Sequence, residues 1–443
     1  MRHFTFLVQL KPVVMRVLDV VRLNRDEWIG RCLVWLAALS AGLVVVLYAK
    51  ISEWAINLFF GMQRTAWWLP LVLTPVAGML ITWLTLRWFT GVNGSGIPQT
   101  MAALNKHHGE AMMHRLVSLK IALAKIVLGT GALAAGFSAG REGPSVQVGA
   151  SIMIAFKRYL PASFAIEPRH LLLAGGASGI SAAFNTPLAG IVFAIEELGR
   201  SYEEKTNGVL ITAIVLSGLV SISLLGNYTY FGSIEVGEIG ADIVIPVIVT
   251  GLFCGLVGGL FSRVLIESSR FTPCRLDQFR KYHPVWWAGF CGLMVALLGA
   301  VSLGAAHGTG YAYTHQLLGD DFAGTWYYAP VKYLATLFTY LSGVPGGIFA
   351  PSLSIGAGFG YELNLLFQDP EIAVAVNALA MTAFLAAVTQ APLTSFIIVM
   401  EMINGHAMVI SLIAVSFIAR VVARLISPPL YATLAANYVA KAD

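Results

Sequence analysis

The stretch AGREGPSVQVGA, residues 139–150, places Arg141 beside Glu142 between long apolar segments of the chain. Its second half recurs later, because PSVQVGA at 144–150 aligns with PSLSIGA at 351–357, at an offset of 207 residues. The residues that precede the two copies also share a glycine. The stretch therefore combines a charged pair in an apolar context with one half of a repeated pattern.

The composition is that of an integral membrane protein. Of 443 residues, 57% are hydrophobic and only 12% are charged, and the mean hydropathy is +0.75, well above soluble proteins. The net charge of +5 is spread through short loops, which argues against a nucleic-acid surface. Apolar segments near the ~20 residues that a spanning helix needs are 31–50, 66–90, 117–137, 171–195, 209–225, 243–266, 285–305 and 408–425.

A second repeated pattern supports the first. PLAGIVFAIE aligns with PLTSFIIVME when Pro187 is placed on Pro392, at an offset of 205 residues, and Glu196 then falls on Glu401. Two independent matches at nearly the same offset predict an internal duplication over most of the chain. In a membrane protein with many spans, duplicated halves are typical of transporters built from inverted-topology repeats, which bind their substrate near the midplane.

The charged residues predict the domain layout and the orientation. Basic residues in the first thirty positions and in loop 267–284 should face the cytoplasm, and the loops 226–242 and 306–327, which contain acids but no Lys or Arg, should face outward. We expect an N-terminal cytoplasmic segment, 1–30, with an amphipathic helix over 4–24. A transmembrane domain, 31–443, follows, with repeats at about 66–225 and 243–425, and both termini should be cytoplasmic.

Three Gly-rich, Pro-marked motifs predict helix N-termini inside the membrane. They are GVNGSGIPQ at 91–99, GREGP at 140–144 and GGIFAP at 346–351. Proline is tolerated in the first turn of a helix, where its missing N–H would have no partner. Converging N-termini would bind a small anion through backbone N–H groups and a hydroxyl. The alternative is that these glycines only pack helices together, but the repeat places two of the motifs at equivalent positions.

Four motifs in order resemble the CLC family of chloride channels and chloride/proton antiporters. They are GSGIP (94–98), GREGP (140–144), GIFAP (347–351) and PLY (429–431), and the resemblance extends over about 70–435. It implies an all-α polytopic membrane protein with two inverted-topology repeats of tilted and broken helices. It also implies a homodimer with one pathway in each subunit and chloride and protons as transported species. We expect no metal and no cofactor.

The resemblance implies roles for individual residues. Ser95 and Tyr431 would supply hydroxyls to a central chloride, the backbone amides of Ile348 and Phe349 would bind it, and Glu142 would be the gate. A serine at position 95 favours chloride over nitrate or fluoride. Lys125 matches a lysine that the family keeps inside the membrane. The supporting motif residues are Gly94, Gly96, Pro98, Gly140, Arg141, Gly143, Pro144, Gly347 and Pro351.

Glu142 has a physical reason to lie at an anion site. An ionised carboxylate can occupy the site itself, held by the N–H groups that would hold chloride, and it leaves when it is protonated. Proton and chloride occupancy are then coupled. A salt bridge to Arg141 is a poor alternative, because adjacent helical residues do not face each other.

Glu197 distinguishes antiport from passive conduction. It falls on Met402 in the repeat alignment, so the repeat does not explain its carboxylate, and acids inside membranes are functional by default. Proton-coupled members of the resembled family keep an ionisable residue there, which implies that Glu197 passes cytoplasmic protons toward Glu142. We expect a chloride/proton antiporter. The alternative is a passive, voltage- or proton-gated chloride channel of the same fold.

An enzyme is the remaining alternative. GFSAG (136–140) fits a nucleophile elbow and GASG (176–179) resembles the serine motif of rhomboid proteases, with Ser138 and Ser178 as nucleophiles. Such chemistry needs a base within hydrogen-bond reach, and no histidine lies in the middle of an apolar span. Small residues at helix crossings explain both motifs. A receptor without transport would leave the anion-binding motifs unexplained.

The chain ends soon after Tyr431, so we expect no cytoplasmic CBS pair of the kind that eukaryotic members of the resembled family carry. This is consistent with a bacterial protein of the inner membrane.

Overall fold

The structure is a computed structural model that describes residues 25–105, 109–164, 166–199, 207–226, 229–234, 240–270, 275–319, 324–367, 369 and 372–440. Within these ranges the chain is helical, with isolated bridges in place of strands. The amphipathic helix predicted over 4–24 lies outside the described residues.

The helices of the first half are α1 (Arg25–Thr65), α2 (Pro70–Trp88), α3 (Ile97–Ala103), α4 (Gly109–Leu116), α5 (Leu119–Ala134), α6 (Glu142–Ala155), α7 (Pro168–Phe184), α8 (Pro187–Phe193) and α9 (Asn207–Leu225). Those of the second half are α10 (Val244–Ser269), α11 (Arg275–Tyr282), α12 (Pro284–Val301), α13 (Tyr311–Leu317), α14 (Tyr328–Ser342), α15 (Phe349–Phe367), α16 (Ala373–Thr389), α17 (Pro392–Ile403), α18 (Val409–Ile426) and α19 (Leu430–Ala440). Seven helices of the described chain are long and apolar enough to span a membrane.

One predicted span is broken. The apolar segment 171–195 is not a single helix, because α7 ends at Asn185 in the left-handed conformation (φ 59°) and α8 begins at Pro187. The second repeat has the same break, since α16 ends at Gln390 with φ 59° and α17 begins at Pro392. Asparagine tolerates this conformation better than most residues, and a proline then starts the next helix without losing a hydrogen bond. Hydropathy alone does not register such a break.

The core of each repeat is a helix crossing packed through glycine. Gly149 on α6 lies against the carbonyl of Gly175 on α7, and Gly356 on α15 lies against the carbonyl of Ala380 on α16. A Cβ atom would lie 2.3 Å from the first carbonyl oxygen and 2.6 Å from the second. Small residues allow such close approach of helices in membranes. These crossings fix the positions at which α6 and α15 begin.

The repeats also cap each other's helices. The Glu196 carboxylate accepts hydrogen bonds from the N–H groups of Leu393 (3.1 Å) and Thr394 (2.7 Å), in the first turn of α17. The Glu401 carboxylate in turn accepts from Leu188 (3.3 Å) and Ala189 (2.8 Å), in the first turn of α8. This reciprocal cap satisfies donors that the helices cannot satisfy themselves. These two equivalent carboxylates therefore cap helices of the opposite repeat.

Removing either carboxylate should lower stability. Glu196→Ala and Glu401→Ala each leave two backbone donors, one exposed and one partly buried, without their charged acceptor, and the loss of such a cap costs about 0.5–2 kcal/mol. We expect both variants to melt at lower temperature than the wild type in detergent. Glu267→Ala is the matched control, because Glu267 forms an exposed pair with Arg270 and such pairs contribute little. Equal melting of all three variants would contradict a capping role.

Candidate functional site

Backbone hydrogen bonds bring three of the predicted motifs together. Gly140 and Gly347 donate to each other's carbonyl oxygens, both at 2.7 Å, and the N–H of Gly346 donates to the carbonyl of Gly94 at 3.1 Å. Each glycine thus lies in the segment that precedes α3, α6 or α15. The starts of these three helices therefore meet at one place inside the protein, where their N–H groups can act together on an anion.

The loop before α3 is shaped by two glycines. Gly94 and Gly96 have positive φ angles of 66° and 107°, which glycine adopts without strain. Pro98 follows in the first turn of α3. The turn places the Ser95 side chain against the first turn of α6, where a Cβ added to Gly143 would lie 2.3 Å from the Ser95 hydroxyl oxygen. Gly143 therefore allows Ser95 to reach the site.

A methyl group at position 143 should disturb the site. In Gly143→Ala, the new Cβ would also lie 3.3 Å from the Cα of Gly347, so both neighbouring segments must move. Overpacking of this kind costs about 1–3 kcal/mol of stability, and the displacement of Ser95 should weaken chloride binding. Isothermal titration with chloride measures the effect. The control is Gly61→Ala, whose Cβ would contact nothing within 4 Å. Unchanged affinity in Gly143→Ala would show that this contact is not needed.

The aromatic residues of the last predicted motif reach the same place. The Tyr431 ring stacks on the Phe349 ring with 6.0 Å between centroids and an interplanar angle of 10°. Ser95, Ile348, Phe349 and Tyr431 are all buried. The hydroxyl groups of Ser95 and Tyr431 interact with each other, yet neither forms a hydrogen bond of good geometry within the described chain. Two buried hydroxyls with unused donors are suited to an anion.

Glu142 is the first residue of α6 and is fully buried. The backbone N–H groups of Arg141, Glu142 and Ala350 face its carboxylate, so it lies at the N-termini of both α6 and α15. Within the described residues neither carboxylate oxygen forms a hydrogen bond of good geometry. The Arg141 guanidinium donates to the carbonyl of Ala49 at 2.6 Å, and its positive charge also acts on the Glu142 carboxylate. The acid therefore occupies a place where backbone dipoles favour negative charge.

Two cavities approach the site from opposite sides. The outer cavity, of about 1060 Å³, is lined by Arg141 and Ser302, and the inner cavity, of about 290 Å³, is lined by Ser95 and Pro284. Pro284 and Ser302 mark the two ends of α12, which at 1.5 Å per residue lie roughly 27 Å apart. The names follow the orientation predicted from the loop charges. Glu142 lies between the two cavities.

Glu197 lies on the inner side of this arrangement. It is buried, on a π-helical turn formed by Ala194–Gly199 directly after α8. Such turns within helices are frequent at functional sites. The carboxylates of Glu197 and Glu142 both act electrostatically on the Tyr431 hydroxyl, so Tyr431 lies within range of both acids. Neighbouring Glu196 points instead to α17 and caps its first turn.

Two further buried residues, Lys125 and Tyr48, lie near the site. Lys125 donates from Nζ to the carbonyl oxygens of Val92 (2.7 Å) and Gly94 (2.6 Å) and thereby holds the loop that presents Ser95. Tyr48 was missed. Its buried hydroxyl lies within electrostatic range of Glu142. A tyrosine in a long apolar helix is typical of the membrane interface, so the sequence carries no signal for this contact.

Among the residues that the structure describes, the two serines of the enzyme alternative pair with groups that are not bases. The Ser138 hydroxyl pairs with the hydroxyl of Thr336 at 2.9 Å, and Ser178 donates to the carbonyl of Ala213 at 3.4 Å. Neither hydroxyl nor amide carbonyl can act as the general base that a serine nucleophile needs. The structure thus gives these motifs a packing and hydrogen-bonding role.

Inverted repeats whose helix N-termini meet at a buried carboxylate, between two cavities, define a membrane protein for anion transport. Residues 77–424 match the family described as voltage gated chloride channel, and the chain belongs to this family.

The individual relatives are proton-coupled transporters. The H(+)/Cl(-) exchange transporter ClcA of Citrobacter koseri is 31% identical to this chain over 466 residues, which cover 96% of this chain and 94% of ClcA. The same transporter of Salmonella typhi is 29% identical, and the match covers 99% of this chain and 95% of the Salmonella protein. A slow cyanobacterial Cl⁻/H⁺ antiporter has a similar structure, with a TM-score of 0.77, 25% identity, and coverage of 92% of this chain and 98% of its own. A CLC-type fluoride/proton antiporter with a TM-score of 0.76 and 22% identity, covering 93% of this chain and 98% of its own, shows the same fold.

Proposed function

We propose that this protein exchanges chloride for protons across the membrane and that Glu142 is the gate. The observation that supports this most is the position of Glu142, fully buried between Arg141 at the outer cavity and Ser95 at the inner cavity. A carboxylate at the N-termini of α6 and α15 uses the same N–H groups that an anion would use. Chloride and the ionised side chain therefore compete for one place.

Competition of this kind couples the two substrates. Protonation removes the charge that binds the carboxylate to the backbone dipoles, and chloride can then take its position. Each proton bound thus favours chloride, and each chloride bound favours the proton, by the same free energy. Ser95 and Tyr431 would donate their hydroxyl hydrogens to the anion, together with the amides of Ile348 and Phe349.

Glu197 is the proposed internal proton acceptor. It is buried within electrostatic range of the Tyr431 hydroxyl, and it does not line the inner cavity. Chloride and protons would share the path from Glu142 outward and diverge inward. The ClcA relatives are named as exchange transporters, which favours antiport over the passive channel.

The assembly and location belong to the same proposal. We infer a homodimer with one pathway in each subunit, in the bacterial inner membrane, with both termini in the cytoplasm. The support is the family membership and the basic residues of loop 267–284, of which Arg280 lines the inner cavity. Cross-linking in native membranes and cysteine labelling from either side test these two points.

The deciding experiment uses purified protein in liposomes. An imposed chloride gradient should drive protons against their own gradient, measured with a pH-sensitive dye inside the vesicles, while a chloride electrode records the anion. Chloride flux without uphill proton movement would establish the passive channel instead. Liposomes without protein give the leak that both signals must exceed.

A further inference from the structure

In the part of the chain that the structure describes, each repeat has a fully buried lysine at an equivalent position. Lys125 on α5 and Lys332 on α14 are 207 residues apart, which is the offset that aligns Pro144 with Pro351. Both side chains are 0% exposed. A buried cation is costly unless its donors are all satisfied. Each lysine must therefore donate hydrogen bonds to buried acceptors, and these acceptors can be compared between the two repeats.

Lys332 holds a loop by its carbonyl groups. Its Nζ donates to the carbonyl oxygens of Ala306 (2.9 Å) and Gly308 (2.8 Å) and is 3.5 Å from that of His307. An ammonium group has three donors, and three carbonyls surround this one. Lys125 makes the same contacts with carbonyls two residues apart in the loop that precedes α3.

The loops held by the two lysines share one sequence pattern. Residues 92–96 read VNGSG and residues 306–310 read AHGTG, so that Thr309 takes the place of Ser95. Gly96 and Gly310 both have positive φ angles, 107° and 81°, and each is followed by a short helix. The loop 306–310, which we call the Thr309 loop, thus repeats the loop that carries Ser95.

The Thr309 loop lies at the other cavity. Thr309 lines the outer cavity, whereas Ser95 lines the inner one. The charged side chains of the outer cavity are mostly basic: Lys50, Arg64 and Arg141 against Glu53. Such a balance attracts anions. The cavity that contains the second loop therefore has the charge that a chloride path needs.

A polar network connects the Thr309 loop to the central site. The Ser354 hydroxyl donates to the carbonyl of Gly310 at 3.2 Å and accepts from the Thr314 hydroxyl at 2.8 Å. Ser354 is on α15, whose first residue, Phe349, belongs to the proposed chloride site. The equivalent residue 207 positions earlier, Gln147 on α6, donates to the carbonyl of Gly91 at 3.0 Å. Gly91 directly precedes the Ser95 loop and Gly310 ends the Thr309 loop, so each loop is hydrogen-bonded at one end to a helix that begins at the site.

We propose that Lys332 is a positioning residue for chloride uptake from the outer cavity and that the Thr309 loop is the outer counterpart of the Ser95 loop. The lysine draws the carbonyl oxygens of residues 306–308 toward itself, so these negative dipoles do not repel an anion in the cavity. The Thr309 hydroxyl accepts from the N–H of Tyr311 at 3.2 Å and donates its own hydrogen to the passing chloride. This inference rests on the proposed function for its substrate. It adds that Lys332 affects chloride uptake from the outer face only, which the proposed function does not require.

The test compares chloride uptake at the two faces. Right-side-out and inverted membrane vesicles from cells that express the protein are given radioactive chloride, and the half-saturating concentration is measured from each face. Lys332→Met should raise this concentration about tenfold at the outer face and leave it unchanged at the inner face. Lys125→Met is the comparison variant and should raise it at both faces, because Lys125 holds the loop of Ser95, a proposed ligand of the central chloride. A change at both faces, or at neither, in Lys332→Met would overturn the proposal.

Thr309→Val keeps the test decisive if Lys332→Met does not fold. Valine keeps the shape of threonine and removes the hydroxyl, and we expect the outer half-saturating concentration alone to rise. No sided change in Thr309→Val would overturn the proposal in that case. The proton signal of the wild type is recorded in the same vesicles. Chloride uptake without proton movement would reject the antiport, and the sided comparison would still decide the role of Lys332.

Discussion

Glu142→Gln should abolish proton coupling while chloride continues to move. The glutamine side chain is nearly isosteric but stays neutral, so it cannot compete with chloride for the N–H groups of α6 and α15 as a carboxylate does. In liposomes, uphill proton movement should fall to the leak of protein-free vesicles. Chloride flux should persist and lose its dependence on pH, because the group that titrates with it has been removed.

Glu53→Gln is the matched control for this variant. Glu53 lines the outer cavity and forms an exposed pair with Lys50, so the substitution removes the same charge near the same pathway. We expect full coupling in this control. Proton transport that survives in Glu142→Gln would show that another group exchanges the proton, and the buried hydroxyl of Tyr48 would be examined next.

Glu197→Gln should have the second largest effect. Its carboxylate is the proposed acceptor for protons from the cytoplasm, and it does not line the inner cavity. We expect chloride flux to remain near that of the wild type and uphill proton movement to disappear. The comparison of Glu142→Gln with Glu197→Gln is informative, because only the first should also remove the pH dependence of chloride flux.

The neighbouring acid provides the control for Glu197→Gln. Glu196→Gln makes the same chemical change one residue earlier, but Glu196 caps α17. It should lower the melting temperature and leave the coupling ratio unchanged. If the two variants behave alike, the loss of coupling would report disturbance of this helix end and not a proton transfer at Glu197.

Much of the fold could be predicted from the sequence, for physical reasons that are local. Long apolar runs must be helical in lipid because the backbone has no other partners there, and seven such helices were found. Gly-Pro patterns marked the starts of α3, α6 and α15 correctly. The break at Asn185 was missed, since a left-handed residue and a following proline leave the hydropathy of 171–195 unchanged.

The site was accessible from sequence only in part. The motifs around Ser95, Glu142, Phe349 and Tyr431 do meet in the structure, and their roles stay predictions until they are measured. The contacts of Tyr48 and Lys332 were not found, because each depends on which distant backbone lies opposite. For Lys332 a signal did exist. The offset of 207 residues from Lys125 would have identified it in the repeat alignment.

The reciprocal cap between Glu196 and Glu401 has a consequence for biosynthesis. The first turn of α8 receives its acceptor from a residue that the ribosome adds 212 positions after Ala189. During synthesis, the N-terminus of α8 therefore has no cap from Glu401 until almost the whole chain has been inserted. A premature stop before residue 401 would leave that end permanently uncapped, and quality-control proteases could recognise the truncated chain by it.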